Sequence, residues 1–146
     1  MKSKKLKLMV GALVVMMMGA TLTGCGGNKL VATKEVEATE ETAKHTEEIE
    51  VSFKNDKIDN VKMTFIFENA DTAKKYVDDY NAMIEMLQKL DEESKTNIPK
   101  LTQKGKKAIM ELDAKTFAEM AGNEEEVNMT KEELRKSLEE DGYKVK

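Results

Sequence analysis

The chain has 146 residues, 24 of them basic and 28 acidic, for a net charge of −4, with one cysteine, one histidine, one proline and no tryptophan. The length bounds it to one small domain once a leader and tether are set aside. A lone cysteine excludes an internal disulfide framework, and the acidic balance excludes the clustered positive field that nucleic acid requires.

The first residues read as an address. Lys2, Lys4, Lys5 and Lys7 come with no acidic residue before Glu35, and Leu8 to Leu22 is apolar or small throughout. As a helix that run would rise only about 22 Å, short of the roughly 30 Å core of a bilayer. It therefore fits the apolar region of an export signal better than a permanent span. The sequence Leu22-Thr23-Gly24-Cys25 closes the run and looks like a bacterial lipobox. That resemblance implies cleavage before Cys25, a diacylglyceryl group on its sulfur and an acyl chain such as palmitate on the new amine. Two or more chains on one residue make an effectively permanent anchor, where one chain holds only reversibly. The expected location is the extracytoplasmic face of the cell membrane, or the outer membrane in a host that has one.

On this reading residues 1–24 are a signal peptide, 25–29 a spacer and 30–146 a single α+β domain. Removing the signal takes four basic residues and no acidic one, leaving 20 against 28. Only Arg135 is an arginine, so bidentate clamps on phosphate or carboxylate have few side chains to use. With Cys25 lipidated, thiol catalysis and cysteine-based metal sites fall away.

After the Gly26-Gly27-Asn28 spacer, Leu30 to Ala38 reads as a strand with Leu30, Ala32 and Val36 on one face. Glu35 to Glu50 carries seven glutamates against one lysine, which predicts a solvated loop or exposed strand edge, with His45 an exposed and inert residue within it. Ile49, Val51 and Phe53 then alternate with polar residues, Asn55-Asp56-Lys57 supplies a turn, and Val61, Met63, Phe65 and Phe67 alternate beyond it. Pairing Val51 with Val61 and Ile49 with Met63 puts both apolar rows on one face. This register needs a three-residue loop, or a two-residue turn with a bulge near Asp59-Asn60.

The spacing of Ala73, Tyr76, Val77, Tyr80, Met83, Ile84, Leu87 and Leu90 predicts one long helix from Ala70 to about Glu93, with this stripe as its core face. Asn69 or Asp71 caps its start. Asp91-Glu92-Glu93-Ser94 ends it. A second hairpin follows around Lys104-Gly105, with Leu101 facing Ala108 and Met110 and Leu112 pointing inward. Pro99 belongs at a strand start or sheet edge. Ala114 to Met120 is a short helix with Phe117 and Met120 as contacts, broken at Gly122, and Glu124-Glu125-Glu126 is a loop. Thr130-Lys131-Glu132-Glu133 is a capping box, with Met129 placed to pack on Leu134 as a staple. Leu134 and Leu138 face inward, Gly142 suits a left-handed cap, and Tyr143 to Lys146 is short enough for a closing strand.

These pieces predict an α+β fold. It is an antiparallel sheet of two hairpins plus terminal strands, with the long helix and a shorter C-terminal helix packed on it. The hairpin from Ile49 to Phe67, the helix start Asp71-Thr72-Ala73-Lys74-Lys75-Tyr76 and the ending Met129 to Leu134 through Asp141 to Lys146 resemble the YehR-type family of small bacterial lipoproteins. The resemblance implies that the first and last strands are sheet neighbours, with Ala32 and Val145 at positions where some relatives carry cysteines. It brings no substrate, cofactor or catalytic residue.

No nucleophile–base set is legible around the one histidine, and no zinc spacing, calcium loop or phosphate-cradling glycine loop occurs. Asp78-Asp79 and Asp56 with Asp59 are the carboxylate pairs, and adjacent helix residues point apart. The expected function is a non-catalytic, lipid-anchored binding module at the cell envelope, with no cofactor, no metal and no nucleic acid. The alternatives are a small-ligand carrier for a membrane partner and a carboxylate-based envelope enzyme.

Overall fold

A computed structural model describes residues 28–90, 98–121 and 128–146. Leu22, Thr23, Gly24 and Cys25 lie outside the described residues, as do Asp91-Glu92-Glu93-Ser94, Gly122 and Glu124-Glu125-Glu126. Among the described residues six strands and three helices run in the order β1 (Lys29–Val36), β2 (His45–Lys54), β3 (Lys57–Phe67), α1 (Ala70–Leu90), β4 (Thr102–Lys104), β5 (Lys107–Asp113), α2 (Ala114–Ala121), α3 (Lys131–Glu140) and β6 (Lys144–Val145). The strands form one sheet in the order β4-β5-β3-β2-β1-β6, and every pairing is antiparallel. This is the α+β architecture that the alternation of strand and helix periods predicts.

The β2–β3 hairpin shows why a bulge is needed. Lys54 pairs with Lys57, so Asn55 and Asp56 alone make the turn, at φ 52° and 60°. Both values are left-handed, as a type I′ turn demands, and Asn and Asp tolerate that region better than most residues. Phe53 pairs with Ile58 while Ser52 pairs with Asn60, leaving Asp59 as the extra residue. Ile58 and Val61 are an odd number of residues apart, and without the insertion one of them would face water. With it, Phe53, Ile58, Val51 and Val61 are all buried. Val51↔Val61 and Ile49↔Met63 pair as expected.

The second hairpin sits one residue from its expected place. Lys104 pairs with Lys107, so Gly105-Lys106 forms the loop, and Gly105 takes φ 59°. A left-handed first loop position is where glycine belongs in a type II′ turn, which shifts the turn off Lys104. Gln103, not Leu101, therefore faces Ala108. Leu101 precedes the strand and is buried, its N–H donating to Asn81 Oδ1 at 2.9 Å and its carbonyl accepting from Asn81 Nδ2 at 3.0 Å.

Helix α1 starts at an Asn69 cap, whose Oδ1 accepts from the Thr72 amide at 2.9 Å. Ala73, Val77 and Ile84 are buried, and Tyr76 and Tyr80 pack on the core. The expected stripe fails toward the C-terminal end. Met83 is on the exposed side, and Leu90 is 76% exposed. The buried residues of α1 end at Ile84, so the apolar spacing continues past the part of the helix that the core covers.

At α2, the Asp113 carboxylate accepts from the Thr116 amide at 2.7 Å, which holds that carboxyl below its usual range. Phe117 and Met120 rest on the core. At α3 the capping box is complete: Thr130 Oγ1 accepts from the Glu133 amide, and the Glu133 carboxylate accepts from the Thr130 amide at 2.8 Å. Gly142 lies at φ 85°, and the bonds Gly142 N–H to Glu139 O and Tyr143 N–H to Leu138 O form a Schellman motif. That motif turns Tyr143 back onto the core beside Leu138 and Leu134. β6 then pairs with β1, Ala32 opposite Val145.

Candidate functional site

The inward rows of β1 and β2 contain three residues that a solvated acidic stretch would not bury. Lys34 is 6% exposed, His45 4% and Glu47 2%. The expectation that Glu35 to Glu50 is a loop or exposed edge, with His45 exposed, is corrected here: β2 begins at His45 and lies inside the sheet, between β1 and β3. The signal was present. Stepping back by twos from Val51 and Ile49 lands on Glu47 and His45, and the β1 row Leu30, Ala32, Val36 passes through Lys34.

The ladders bring these residues together. Lys34 stands opposite Glu47 and Val36 opposite His45 across β1 and β2, while Phe65 and Phe67 occupy the matching positions on β3. The His45 ring lies 5.9 Å from Phe65, 5.1 Å from Phe67 and 6.1 Å from Tyr76 of α1. Tyr143 arrives from the end of α3 and its hydroxyl donates to Glu47 Oε2 at 2.6 Å. The Lys34 ammonium donates to the Asp141 carbonyl at 2.8 Å and stands 5.1 Å from the Tyr143 ring centroid. Asp141 is the C-cap of α3, so a cation meets the negative end of the helix dipole.

Burial dominates the acid–base behaviour of the surrounding phenols. It pushes Tyr76 and Tyr143 well above the ordinary tyrosine range, with the negative charge of Glu47 as the next cause in each. For Tyr143 the bond to Glu47 adds to the effect, and burial alone pushes Tyr80 up to about 12.

The histidine tautomer follows from geometry. Nδ1 is 2.7 Å from the Ala43 carbonyl; a carbonyl oxygen only accepts, so Nδ1 carries hydrogen. Nε2 lies 3.5 Å from Glu47 Oε1 and makes no hydrogen bond.

Chemically, the cluster's polar atoms are turned toward one another and walled by aromatic rings. Glu47 is the one buried carboxylate among the described residues, so the two-carboxylate arrangement of a glycosidase-type centre is not formed there. One imidazole and one carboxylate fall short of a metal site, and the described residues hold no group of three such ligands. The candidate pairs are kept apart: Asp78 and Asp79 lie exposed on α1, pairing with Lys74 at 2.5 Å and with Lys75 respectively. Asp56 is in the hairpin turn and Asp59 in the bulge, both exposed. What the cluster does is tie β1, β2 and the end of α3 into one unit. No family model, curated protein or solved structure matches this chain.

Proposed function

We propose that this protein is a lipid-anchored lipoprotein of the extracytoplasmic envelope, of the YehR type, whose single domain serves as a non-catalytic interaction module. The lysine-rich start, the short apolar run and Leu22-Thr23-Gly24-Cys25 carry this reading. Two structural facts support it. The sheet begins at once: the Asn28 carbonyl accepts from the Phe53 amide at 2.8 Å and β1 starts at Lys29, so both residues, read as spacer in the sequence, already belong to the sheet. A lipid on Cys25 would then sit within about 14 Å of the domain. Ala32 pairs with Val145, the strand neighbourhood that the family resemblance implies. The non-catalytic part rests on the burial of the sole histidine and of Glu47, with His45 Nδ1 bonded to the Ala43 carbonyl and Glu47 Oε2 to the Tyr143 hydroxyl.

The test is metabolic labelling with a fatty-acid analogue in wild type and Cys25→Ala. Wild type takes the label, starts at Cys25 and fractionates with membranes, and the variant loses all three properties. A mature protein that begins at Met1, or one that keeps its label in the variant, overturns the proposal.

A further inference from the structure

The buried cluster leaves one atom unexplained. His45 Nδ1 is committed to Ala43, so any second ring proton must sit on Nε2, and Nε2 faces Glu47 Oε1 at 3.5 Å with no other partner. We propose that one proton is held between His45 and Glu47, and that this proton keeps the C-terminal strap, residues 141–146, fastened to β1 and β2. Without it, an imidazole lone pair faces a carboxylate oxygen in a dry pocket, where unpaired polar groups are most costly. With it, Glu47 joins His45 through Oε1 to Tyr143 through Oε2.

A second proton undoes the arrangement. Imidazolium beside a neutral carboxyl leaves two cations, Lys34 and His45, in one pocket with no anion between them. The groups facing the pair are Lys34 from β1, Tyr76 from α1, and Tyr143 and Asp141 from the end of α3; β3 contributes only Phe65 and Phe67. Lys34 and the two phenols keep their protons in acid. Asp141 meets Lys34 through its backbone carbonyl, which takes up no proton, and its side chain is exposed, so the response is assigned to His45 and Glu47. Apart from the buried Tyr143 ring and the Lys34–Asp141 bond, both part of the cluster, the strap meets the sheet only through a short strand. β6 has two ladder pairs and one further bond, from the Lys146 amide to the Val31 carbonyl at 2.9 Å. Segments with so few backbone bonds open at low cost, and opening bares the outer edge of β1. The device is therefore an acid-released strap over a sheet edge.

The experiment is amide hydrogen exchange on the purified full chain, from about pH 7 to about pH 4, across the ordinary range of imidazoles and carboxyls. Exchange of the Lys146 amide, which donates to the Val31 carbonyl of β1, is normalised to β2–β3 ladder amides. Strap protection in wild type is expected to fall by about tenfold or more, since one proton can change an opening equilibrium up to tenfold per pH unit. His45→Phe, whose ring suits the aromatic pocket, should lose most of that response. Glu47→Gln should be loose already at neutral pH and respond little. Unchanged wild-type protection in acid, or an undiminished response in His45→Phe, overturns the proposal. Should either variant fail to fold, the nitrogen shifts of the wild-type His45 ring at neutral pH decide. A hydrogen-bonded Nε2 is expected, and a bare lone pair there overturns it.

Discussion

Removing the Tyr143 hydroxyl isolates one bond and little else. In Tyr143→Phe the ring remains, so its packing beside Leu134 and Leu138 and its contact with the Lys34 ammonium are retained. What is lost is a 2.6 Å bond to a carboxylate that is 2% exposed. A hydrogen bond to a charged group contributes about 1.5–3 kcal/mol, and leaving the buried acceptor short of its donor places the cost in the upper half of that range. We expect a loss of about 2–3 kcal/mol in urea unfolding with unchanged m-value, or a Tm lower by roughly 6–15 °C for a domain of this size. The partner variant Glu47→Gln closes a double-mutant cycle, in which the two changes should couple by about 1–3 kcal/mol. A loss below about 0.5 kcal/mol with no coupling would mean that the cluster does not bind α3 to the sheet.

Three further outcomes follow from the same structure. All three tyrosines are held above their ordinary range, so tyrosinate absorbance should be absent in the folded protein near pH 10 and appear together with unfolding at higher pH. The sign is that of a raised folded-state value: the stabilisation is whole below the unfolded tyrosine range and is lost as pH climbs from there through the raised folded-state range. Gradual ionisation of three phenols in a protein with native circular dichroism would contradict the burial. The Lys146–Val31 bond makes Ala32 and Val145 a non-hydrogen-bonded pair, with Cα atoms about 4.5 Å apart, inside the span a disulfide bridges. Ala32→Cys with Val145→Cys should cross-link on oxidation and gain about 2–4 kcal/mol over the reduced form; failure to cross-link would refute the β1–β6 register. Ile84→Ala should cost about 2–4 kcal/mol as a fully buried residue, whereas Leu90→Ala on the exposed end of α1 should stay within about 0.5 kcal/mol. Equal losses in thermal melts would show that the helix sits differently on the sheet.

How far the sequence could be read depends on which force decides each feature. Turn chemistry and caps are local, and Asn55-Asp56, Asp59, Thr130-Glu133 and Gly142 appear where the residue types place them. The turn expected around Lys104-Gly105 lies one residue on, because Gly105 takes the first loop position and not the second. Long-range features were partly hidden. The apolar spacing of α1 runs past Ile84 to Leu90, yet nothing in its period shows that burial stops at Ile84 and leaves Leu90 in solvent. His45 and Glu47 read as solvent-facing because six other glutamates lie around them between Glu35 and Glu50. Burial there is decided by β2 lying between two partners, and a charged residue in a two-residue period is pulled inward once its row is fixed at Ile49 and Val51. The place of Lys34 in the inward row of β1 is not legible locally, because its ammonium is satisfied by a helix end that lies 107 residues away.

The pairing of β1 with β6 also bears on how the chain acquires its structure. While the polypeptide is being made, Lys34 and Glu47 exist long before Asp141 and Tyr143 that satisfy them, and the nascent sheet carries an open side next to two charges aimed into its own apolar layer. A product terminated before α3 would lack the Asp141 carbonyl and the Tyr143 hydroxyl that Lys34 and Glu47 bond. It is such fragments, more than the whole molecule, that should cling to one another along bare strands.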